Sequence, residues 1–487
     1  MIMYRRDFLK LGTLGIGSLV LPNILHANNQ LTGYKAIVVV YLAGGNDGTN
    51  MFVPSGNDSK KGYQVYADAR DILRVKETSL NLPLTGGELD LSGGNPYDVD
   101  GHLDVAYTKG FYEHNGMDIA TNGLMPEIAH LLNQGSAAVV ANAGNLIAPA
   151  NKADFRSRTK PLPPFLFAHN HQTKLMMNGE AAKLDYTGWA GRLYDNWKRV
   201  NGGDIYGFNI GIGGNEHLFY GDETTPMIIS SNGPTQYHKI NRKMHDDYMN
   251  QGKDDAFRQL YNAKRKHSFK MQDTIVEDWK NKAPTFTATN AYGKELFSYP
   301  TNEQLSQDNT TMAGKSMLKN LKAVANLAYI GKNRGLKREV FYMLDGGYDT
   351  HGNQTKQHAR KLRGLSLGIG DFYKALKEMG MENDVTVITV SDFGRSIGNN
   401  GDGTDHAWGS NHLVVGGAVR GGLYGTLPSL ILGGDDDLGI KGRLIPTTSM
   451  TQYYATVLKW FGVDNSLMPI VLPELSNFSV SDLGFMG

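Results

Sequence analysis

Four short apolar runs stand out along the chain because almost every residue in them is hydrophobic, without alternation between apolar and polar positions. Each run ends in a cluster of glycine and polar residues. Strands with this pattern are buried on both faces, which is typical of a parallel sheet covered by helices. The runs are AIVVVYLAGGND at 36–47, AAVVANAGN at 137–145, REVFYMLDGGYDTHG at 338–352 and VTVITVSDFGR at 385–395.

Helical periodicity lies between these runs and after the last one. Apolar residues at helical spacing predict helices over residues 125–133, 312–330, 354–379 and 448–461. Strands and helices that alternate in this way build a sheet with helices on both of its faces. We therefore expect an α/β fold with a doubly wound, mostly parallel sheet.

The pattern weakens between residues 161 and 311, which are rich in Asn, Gly, Tyr and charged residues. One helix is predicted in this part, over residues 254–282. We interpret the segment as an insertion or cap on a single α/β domain that covers residues 28–487.

Polar side chains follow three of the four predicted strands. In open α/β sheets, ligands bind beyond the carboxyl ends of the strands, so these side chains are expected to meet at one edge. Carboxylates and neutral imidazoles at one place can surround one or two cations, and an arginine beside them can hold an anion. The residues concerned are Asn46 and Asp47, then Asp345, Asp349 and His351, then Asp392 and Arg395.

Each of these residues also has a purely structural explanation. Asn, Asp and Gly are preferred turn residues, so Asp47 alone could belong to a turn. Asp349 and Asp392 could cap helices. Downstream, Asp405, His406 and His412 lie in glycine-rich sequence that could form a surface loop. The joint pattern favours a metal site, because independent loops rarely bring Asp and His to one sheet edge by chance.

Composition and charge remove several alternatives. The chain has 487 residues and a formal net charge of +1, without the basic excess that nucleic-acid binding requires. Cysteine is absent, which excludes disulfides, thiolate metal sites and cysteine nucleophiles. Any metal must therefore be bound by oxygen and nitrogen atoms.

The N-terminus resembles a twin-arginine export signal. Arg5 and Arg6 precede a short apolar run that contains three glycines, and a small residue, Ala27, follows it. The run is shorter than the roughly 20 residues that span a membrane. We therefore expect that the signal is cleaved near Ala27 and is not retained as a membrane anchor. The twin-arginine translocase is the expected partner during export. The mature chain would then be periplasmic or secreted, without a stable membrane span.

The motifs GGNDGTN, GGYDTHGNQ, SDFGR and GTDHAWG, in this order, carry a resemblance to a known family. Together with the N-terminal signal, they resemble the exported bacterial domain-of-unknown-function family 1501 (DUF1501). The resemblance covers nearly the whole mature chain. That family is placed in the superfamily of alkaline phosphatases, sulfatases and phosphoglycerate mutases, which implies a phosphatase-like fold and divalent metal.

The resemblance also implies a metal layout. In the superfamily, Asp follows the first strand, an Asp and His pair follows a later strand, and a further Asp and a last His complete the set. Phe393 stands where the superfamily commonly has a histidine, which would weaken one metal position unless His412, His169 or His171 replaces it. The positions that match the layout are Asp47, Asp349, His351, Asp392 and His406.

The superfamily places its nucleophile at a helix start, where backbone N–H groups favour an anionic transition state. Thr121 is the hydroxyl near the helix predicted at residue 125, and the neighbouring Asn122 could instead be a plain cap. Without a side-chain nucleophile, a water molecule activated by the cation could attack.

A second group of candidates lies in residues 156–171. His169 and His171 are two residues apart, so an extended strand would put both rings on one face. They could bind metal or simply hydrogen bond to loop carbonyls. Arg156 and Arg158 could bind a phosphate or sulfate, or pair with surface acids.

Together these observations predict an exported metal-dependent hydrolase that acts on a phosphate or sulfate ester. Asn46 and Arg395 would hold the small anionic substrate, Thr121 and Arg395 would take part in catalysis, and one or two Zn, Mn, Mg or Ca ions would be bound. The alternative is a non-catalytic exported binding or surface-assembly protein that keeps the fold and one metal.

Overall fold

The structure is a computed structural model of the chain. It describes residues 31–81, 89, 109–204, 206–214, 216–224, 226–235, 239–249, 256–307 and 310–487. The predicted twin-arginine signal of residues 1–27 lies outside the described residues. None of the helices within these ranges is long and apolar enough to cross a membrane.

Fifteen strands are formed by the described residues. They are β1 (Lys35–Ala43), β2 (Phe52–Pro54), β3 (Ser79–Leu80), β4 (Phe111–Glu113), β5 (Ile119–Asn122), β6 (Ala137–Gly144), β7 (Asn209–Ile212), β8 (Met227–Ile229), β9 (Arg338–Gly346), β10 (Val385–Val390), β11 (Arg395–Asn399), β12 (Thr404–His406), β13 (Ser410–Val415), β14 (Gly422–Tyr424) and β15 (Thr448–Ser449).

Thirteen α-helices accompany these strands in the same ranges. They are α1 (Gly48–Met51), α2 (Tyr63–Arg70), α3 (Pro126–Asn133), α4 (Lys152–Ser157), α5 (His169–Asn178), α6 (Trp189–Asn196), α7 (Lys239–Met249), α8 (Ala256–Lys282), α9 (Asn302–Gln307), α10 (Lys315–Asn333), α11 (Gln354–Glu378), α12 (Met450–Phe461) and α13 (Met468–Val471).

The main sheet has the strand order β14-β6-β13-β10-β1-β9-β7-β8, and β15 also pairs with β6. Its pairs are parallel except those that β13 makes with β10 and β6. The four apolar runs form β1, β6, β9 and β10, so the predicted α/β fold class is confirmed. The segment interpreted as an insertion supplies β7 and β8 to one edge of this sheet.

The continuous apolar runs are explained by helices on both faces of the sheet. In β1, Val38 and Val40 face a core that includes residues of α3, α10 and α11. Their neighbours Ile37 and Val39 face a second core with residues of α6 and α12. Because alternate strand residues point to opposite faces, both positions must be apolar.

Two local predictions were wrong. Residues 169–171 are not extended, because His169 begins helix α5, after Ala168 in the extended region. Thr121 does not lie at a helix start, because it belongs to β5 and pairs with Phe52. Helix α3 begins instead after Met125, with Pro126 in its first turn.

Candidate metal centre

Four side chains converge beyond the carboxyl ends of β1, β9 and β10. His169 is the first residue of α5, Asp349 and His351 lie in the loop after β9, and His406 ends β12. The ligand atoms of three of them, His169, Asp349 and His406, all lie within 4.8 Å of one another. The structure thus brings together three of the five predicted metal ligands and adds His169.

Short distances join the ligand atoms of this cluster. His406 Nε2 lies 3.0 Å from His169 Nε2, 2.8 Å from His351 Nε2 and 3.2 Å from Asp349 Oδ1. Asp349 also lies 3.2 Å from His351 Nε2 and 3.5 Å from His169 Nε2. Ligands about 2.0–2.1 Å from one zinc ion would be separated by roughly 3.3 Å, so the ligand atoms of His169, His406 and Asp349 fit such an ion, and His351 lies beside them.

The partners of the Nδ1 atoms determine which ring nitrogen of a cluster histidine carries the proton. His169 Nδ1 is hydrogen bonded to the Asp392 carboxylate, and His406 Nδ1 donates to the Phe167 carbonyl oxygen at 2.8 Å. His351 Nδ1 faces Asp405 at 3.8 Å. Because carboxylates and carbonyls only accept hydrogen bonds, the neutral rings of His169 and His406 direct the lone pair of Nε2 into the cluster, whereas the Asp405 carboxylate is too far from His351 to fix its tautomer.

The Nε2 lone pairs of neutral His169 and His406 are 3.0 Å apart and repel one another unless positive charge lies between them. Partners on the outer nitrogens of metal-binding histidines are a general feature of metal sites. The donor set of His169, His406 and Asp349 therefore fits a divalent cation, with His351 beside it.

The environment affects the pKa values of these groups in different directions. The hydrogen bond to Asp392 raises the pKa of His169, against the effect of burial. Burial lowers the pKa of His406. Burial opposes ionisation of Asp349, but the Arg395 hydrogen bond and charge outweigh it and lower the pKa of that carboxyl.

Asp392 is buried and supports the cluster from behind. Its Oδ1 accepts hydrogen bonds from the backbone N–H groups of Gly45, at 2.6 Å, and Gly44, at 3.2 Å. Both glycines have positive φ, and a Cβ on Gly45 would lie 2.5 Å from the Phe393 ring. The turn after β1 thus holds Asp392, and Asp392 in turn orients His169.

Arg395 is committed to groups of the protein. Its guanidinium donates to Asp349 Oδ1 at 2.8 Å, to the Gly44 carbonyl at 3.3 Å and to the hydroxyl and carbonyl oxygens of Thr404. The side chain is fully buried, whereas 46% of the Asp349 side chain is exposed. In this structure Arg395 therefore fixes Asp349, which differs from the anion contact predicted for it.

Phe393 forms one wall of the cluster. Its ring centroid lies 4.7 Å from that of His169 and 4.6 Å from that of His406. Of the three histidines considered as replacements at this position, His169 is the one that enters the cluster. The sequence signal for it was only the HNH tripeptide, whose relevance depends on where α5 begins.

Asp47 and Asn46 have other partners. Asp47 is buried, where it accepts from Arg70 at 2.6 Å, from Gln354 at 2.6 Å and from the backbone of Asn50 at 3.0 Å. Asn46 accepts from the buried His358 ring at 2.9 Å. The structure thus places neither side chain in the cluster.

Asp345, which shares the strand end with the cluster, is paired with Lys361 and accepts from Tyr348 at 2.9 Å. It therefore does not face the cluster.

The remaining candidates lie elsewhere. The buried Thr121 hydroxyl is hydrogen bonded to His114 at 2.7 Å, and no signal in the sequence distinguished this arrangement from a nucleophile. His412 is buried in β13 against Tyr453, and His171 stacks on Phe165 at 4.1 Å. The side chains of Arg156 and Arg158 are exposed on and just after α4.

Comparisons with known proteins give the chain a family but no activity. No curated protein matches it. Among solved structures, it is similar to the lipoteichoic acid synthase LtaP from Listeria monocytogenes, at 9% identity and a TM-score of 0.31, over 91% of this chain and 78% of that one. The PsFucS1 sulfatase from Pseudoalteromonas sp. matches at 12% identity and a TM-score of 0.27, over 91% and 71%.

Similarity this distant assigns no function. At the level of sequence, however, the family model described as "Protein of unknown function (DUF1501)" matches residues 34–466. The resemblance seen in the motifs is therefore confirmed, and the chain belongs to the DUF1501 family.

Proposed function

We propose that the chain is a metal-dependent hydrolase that acts on a small phosphate or sulfate ester. The observation that carries this proposal is the convergence of three imidazole Nε2 atoms and the Asp349 carboxylate, with His169, His406 and Asp349 each held by an outer partner. Imidazole-rich sets with one carboxylate favour zinc over magnesium, calcium or manganese, which prefer oxygen ligands.

The charges around the cluster support an anionic substrate. Arg395 balances Asp349, and Lys441 lies 3.2 Å from Asp405, which leaves Asp392 as the unbalanced acid. A divalent cation would therefore give the site a net charge of about +1. Because 35–46% of the His169, Asp349 and His351 side chains is exposed, an anionic ester oxygen has access to that charge.

In this proposal each residue has a distinct task. His169, His351, His406 and Asp349 bind the cation, while Asp392 orients the His169 ring and the Phe167 carbonyl orients the His406 ring. Arg395 holds Asp349 in place. The cation supplies positive charge that polarises the ester and activates water. Asp47 is not assigned a ligand role, because Arg70 and Gln354 already occupy its carboxylate.

One observation favours the non-catalytic alternative. Among the described residues, no Ser or Thr hydroxyl is hydrogen bonded to His169, Asp349 or His406. A protein with this site but no side-chain nucleophile either relies on water or binds its ligand without turnover. Activity measurements separate these two functions.

The test compares two histidines of one helix. Purified wild-type protein should contain one zinc ion per chain and hydrolyse a panel of phosphate and sulfate monoesters, with loss on chelation and recovery on metal addition. His169→Ala should lose both metal and activity, whereas His171→Ala should retain both. Full metal content without hydrolysis would support the binding protein, and metal retained by His169→Ala would contradict the proposed site.

We further propose export through the twin-arginine translocase, on the basis of Arg5, Arg6 and the apolar run that follows. Changing both arginines to lysine should leave precursor in the cytoplasm, because the translocase requires the pair. Cell fractionation with detection of the chain is the measurement. Normal delivery of the double variant would contradict this route.

A further inference from the structure

Helix α8 has two halves with different surroundings. Its C-terminal half is anchored to the α/β core through Ile275, which is buried, and Asp278, which accepts from Arg334 at 2.7 Å and Tyr206 at 2.8 Å. None of the described residues in the N-terminal half, 256–270, is buried. This half contacts α7 instead, because the Arg242 guanidinium lies over the Phe269 ring and the Arg258 guanidinium over the Tyr248 ring.

The exposed face of this half is apolar. Phe257, Leu260 and Tyr261 are 77%, 59% and 45% exposed, and their spacing puts them on one side of the helix. Met244 and Tyr248 of α7 are also exposed, at 66% and 64%. Surface helices normally turn such a stripe toward the core. In α7 and the N-terminal half of α8, the apolar residues face solvent instead.

Positive charge surrounds the apolar stripe. Residues 256–270 contain five Lys or Arg and no Asp or Glu, in a chain whose net charge is only +1. Lys264, Lys266 and Lys270 are exposed, and the structure records no ion pair for them with any residue it describes. Positive charge is therefore concentrated where the exposed aromatic side chains lie.

We propose that this surface, formed by the exposed side chains of α7 and of residues 256–270, binds the interface of a membrane with anionic headgroups. Apolar side chains with lysines beside them are the composition of helices that lie in such an interface. Two copies of the same basic surface would repel each other, which argues against self-association. The proposal is independent of the function proposed for the metal centre.

The experiment measures sedimentation of the full-length protein with vesicles. Wild type should bind vesicles of phosphatidylcholine with added phosphatidylglycerol, bind pure phosphatidylcholine much less, and be released by salt. Lys264→Gln with Lys266→Gln should weaken binding by about tenfold or more, because each lysine near an anionic surface contributes. Phe257→Ser with Leu260→Ser should weaken it several-fold.

Matched variants elsewhere on the protein identify the surface. Lys319→Gln with Lys322→Gln removes two exposed lysines of α10, and Ile440→Ser with Val480→Ser removes two exposed apolar side chains. Both pairs should bind vesicles like wild type, with unchanged thermal unfolding for all variants. The apolar run at residues 11–25 is unchanged in every variant and could itself bind vesicles. If neither the lysine pair nor the apolar pair of changes in α8 weakens binding, the proposal is wrong.

Failure of wild type to bind either kind of vesicle would also overturn it. Binding of poly-glutamate in the same assay would then indicate an acidic protein as the partner of this surface.

Discussion

The segments after β1 and β9 both begin where a buried parallel strand ends, and both carry aspartate among glycines. Their carboxylates nevertheless have opposite surroundings. Asp47 is buried, and Arg70, Gln354 and the Asn50 backbone satisfy it. Asp349 is 46% exposed and faces the Nε2 atoms of three histidines.

The difference shows that position at a strand end does not make a carboxylate a ligand. A buried carboxylate with an arginine and an amide has its charge and lone pairs satisfied within the protein. Asp349 also pairs with an arginine, Arg395, but its carboxylate keeps an exposed side that faces imidazole Nε2 atoms, where a cation would find ligands. The two aspartates therefore differ in which partners the rest of the fold brings to them.

The largest effect on stability is expected when the Asp47 carboxylate is removed, which tests its role as a partner of Arg70. Asp47→Ala leaves Arg70 buried without its partner, which should lower the free energy of unfolding by about 3–5 kcal/mol. Urea unfolding measures this, with Asp482→Ala as control, because its Lys459 pair is exposed and worth less than about 1 kcal/mol. Metal content per folded chain should stay unchanged. Loss of the metal from a stable Asp47→Ala protein would show that Asp47 is a ligand.

The reverse result is expected for Asp349. Asp349→Asn keeps an acceptor for buried Arg395 but removes the charge that balances it, so stability without metal should fall, though by less than in Asp47→Ala. Wild type should gain about 2.7 kcal/mol when the cation is present at 100 times its Kd, and the variant should lose most of that gain. Thermal unfolding with and without zinc measures both. An unchanged metal-dependent gain in the variant would contradict the site.

Asp392 tests the outer partners of the ligands. Asp392→Asn can still accept from His169, but without charge, so the affinity for the cation should fall about 10- to 100-fold. Metal titration against a competing chelator measures this. If Asp392 were a direct ligand, as the sequence suggested, the variant would bind no metal at all in the accessible range.

The pH dependence of stability tests whether His412 is a buried, neutral structural histidine. Burial lowers its pKa to about 4, below the ordinary value of about 6.5, so the unfolded chain takes up the proton first as pH falls. The stabilisation that depends on neutral His412 is complete above pH ~6.5 and is lost toward pH ~4. Between pH ~7 and ~5, wild type should lose about 2 kcal/mol more than His412→Gln in urea unfolding. Equal losses in the two proteins would contradict a buried, neutral His412.

The smallest effect is expected at Thr121. Thr121→Val removes the hydrogen bond to His114 and should cost about 1 kcal/mol of stability, without a change in metal content or hydrolysis. Activity assays of the variant measure this directly. Complete loss of hydrolysis by a folded, metal-loaded Thr121→Val would restore Thr121 as a nucleophile.

The sequence by itself determined the central sheet and the edge at which the site lies. Continuous apolar runs such as residues 36–42 and 385–390 can be buried only between two layers of helices, so they predicted β1 and β10 and their burial. The same logic placed Asp349 and His351 at that edge, because carboxyl ends of parallel strands share an edge, whereas His406 was assigned only from the family resemblance.

Only the tertiary structure decided which donors face one another. Asp47 is paired with Arg70 of α2. Asp392 is hydrogen bonded to His169, a residue of α5 that is 223 positions away in the sequence. Local patterns carry no information about such long-range partners, because side-chain hydrogen bonds depend on how separate elements pack. The physical reason is that a carboxylate becomes a salt bridge, an outer partner or a ligand according to the charges that packing places beside it.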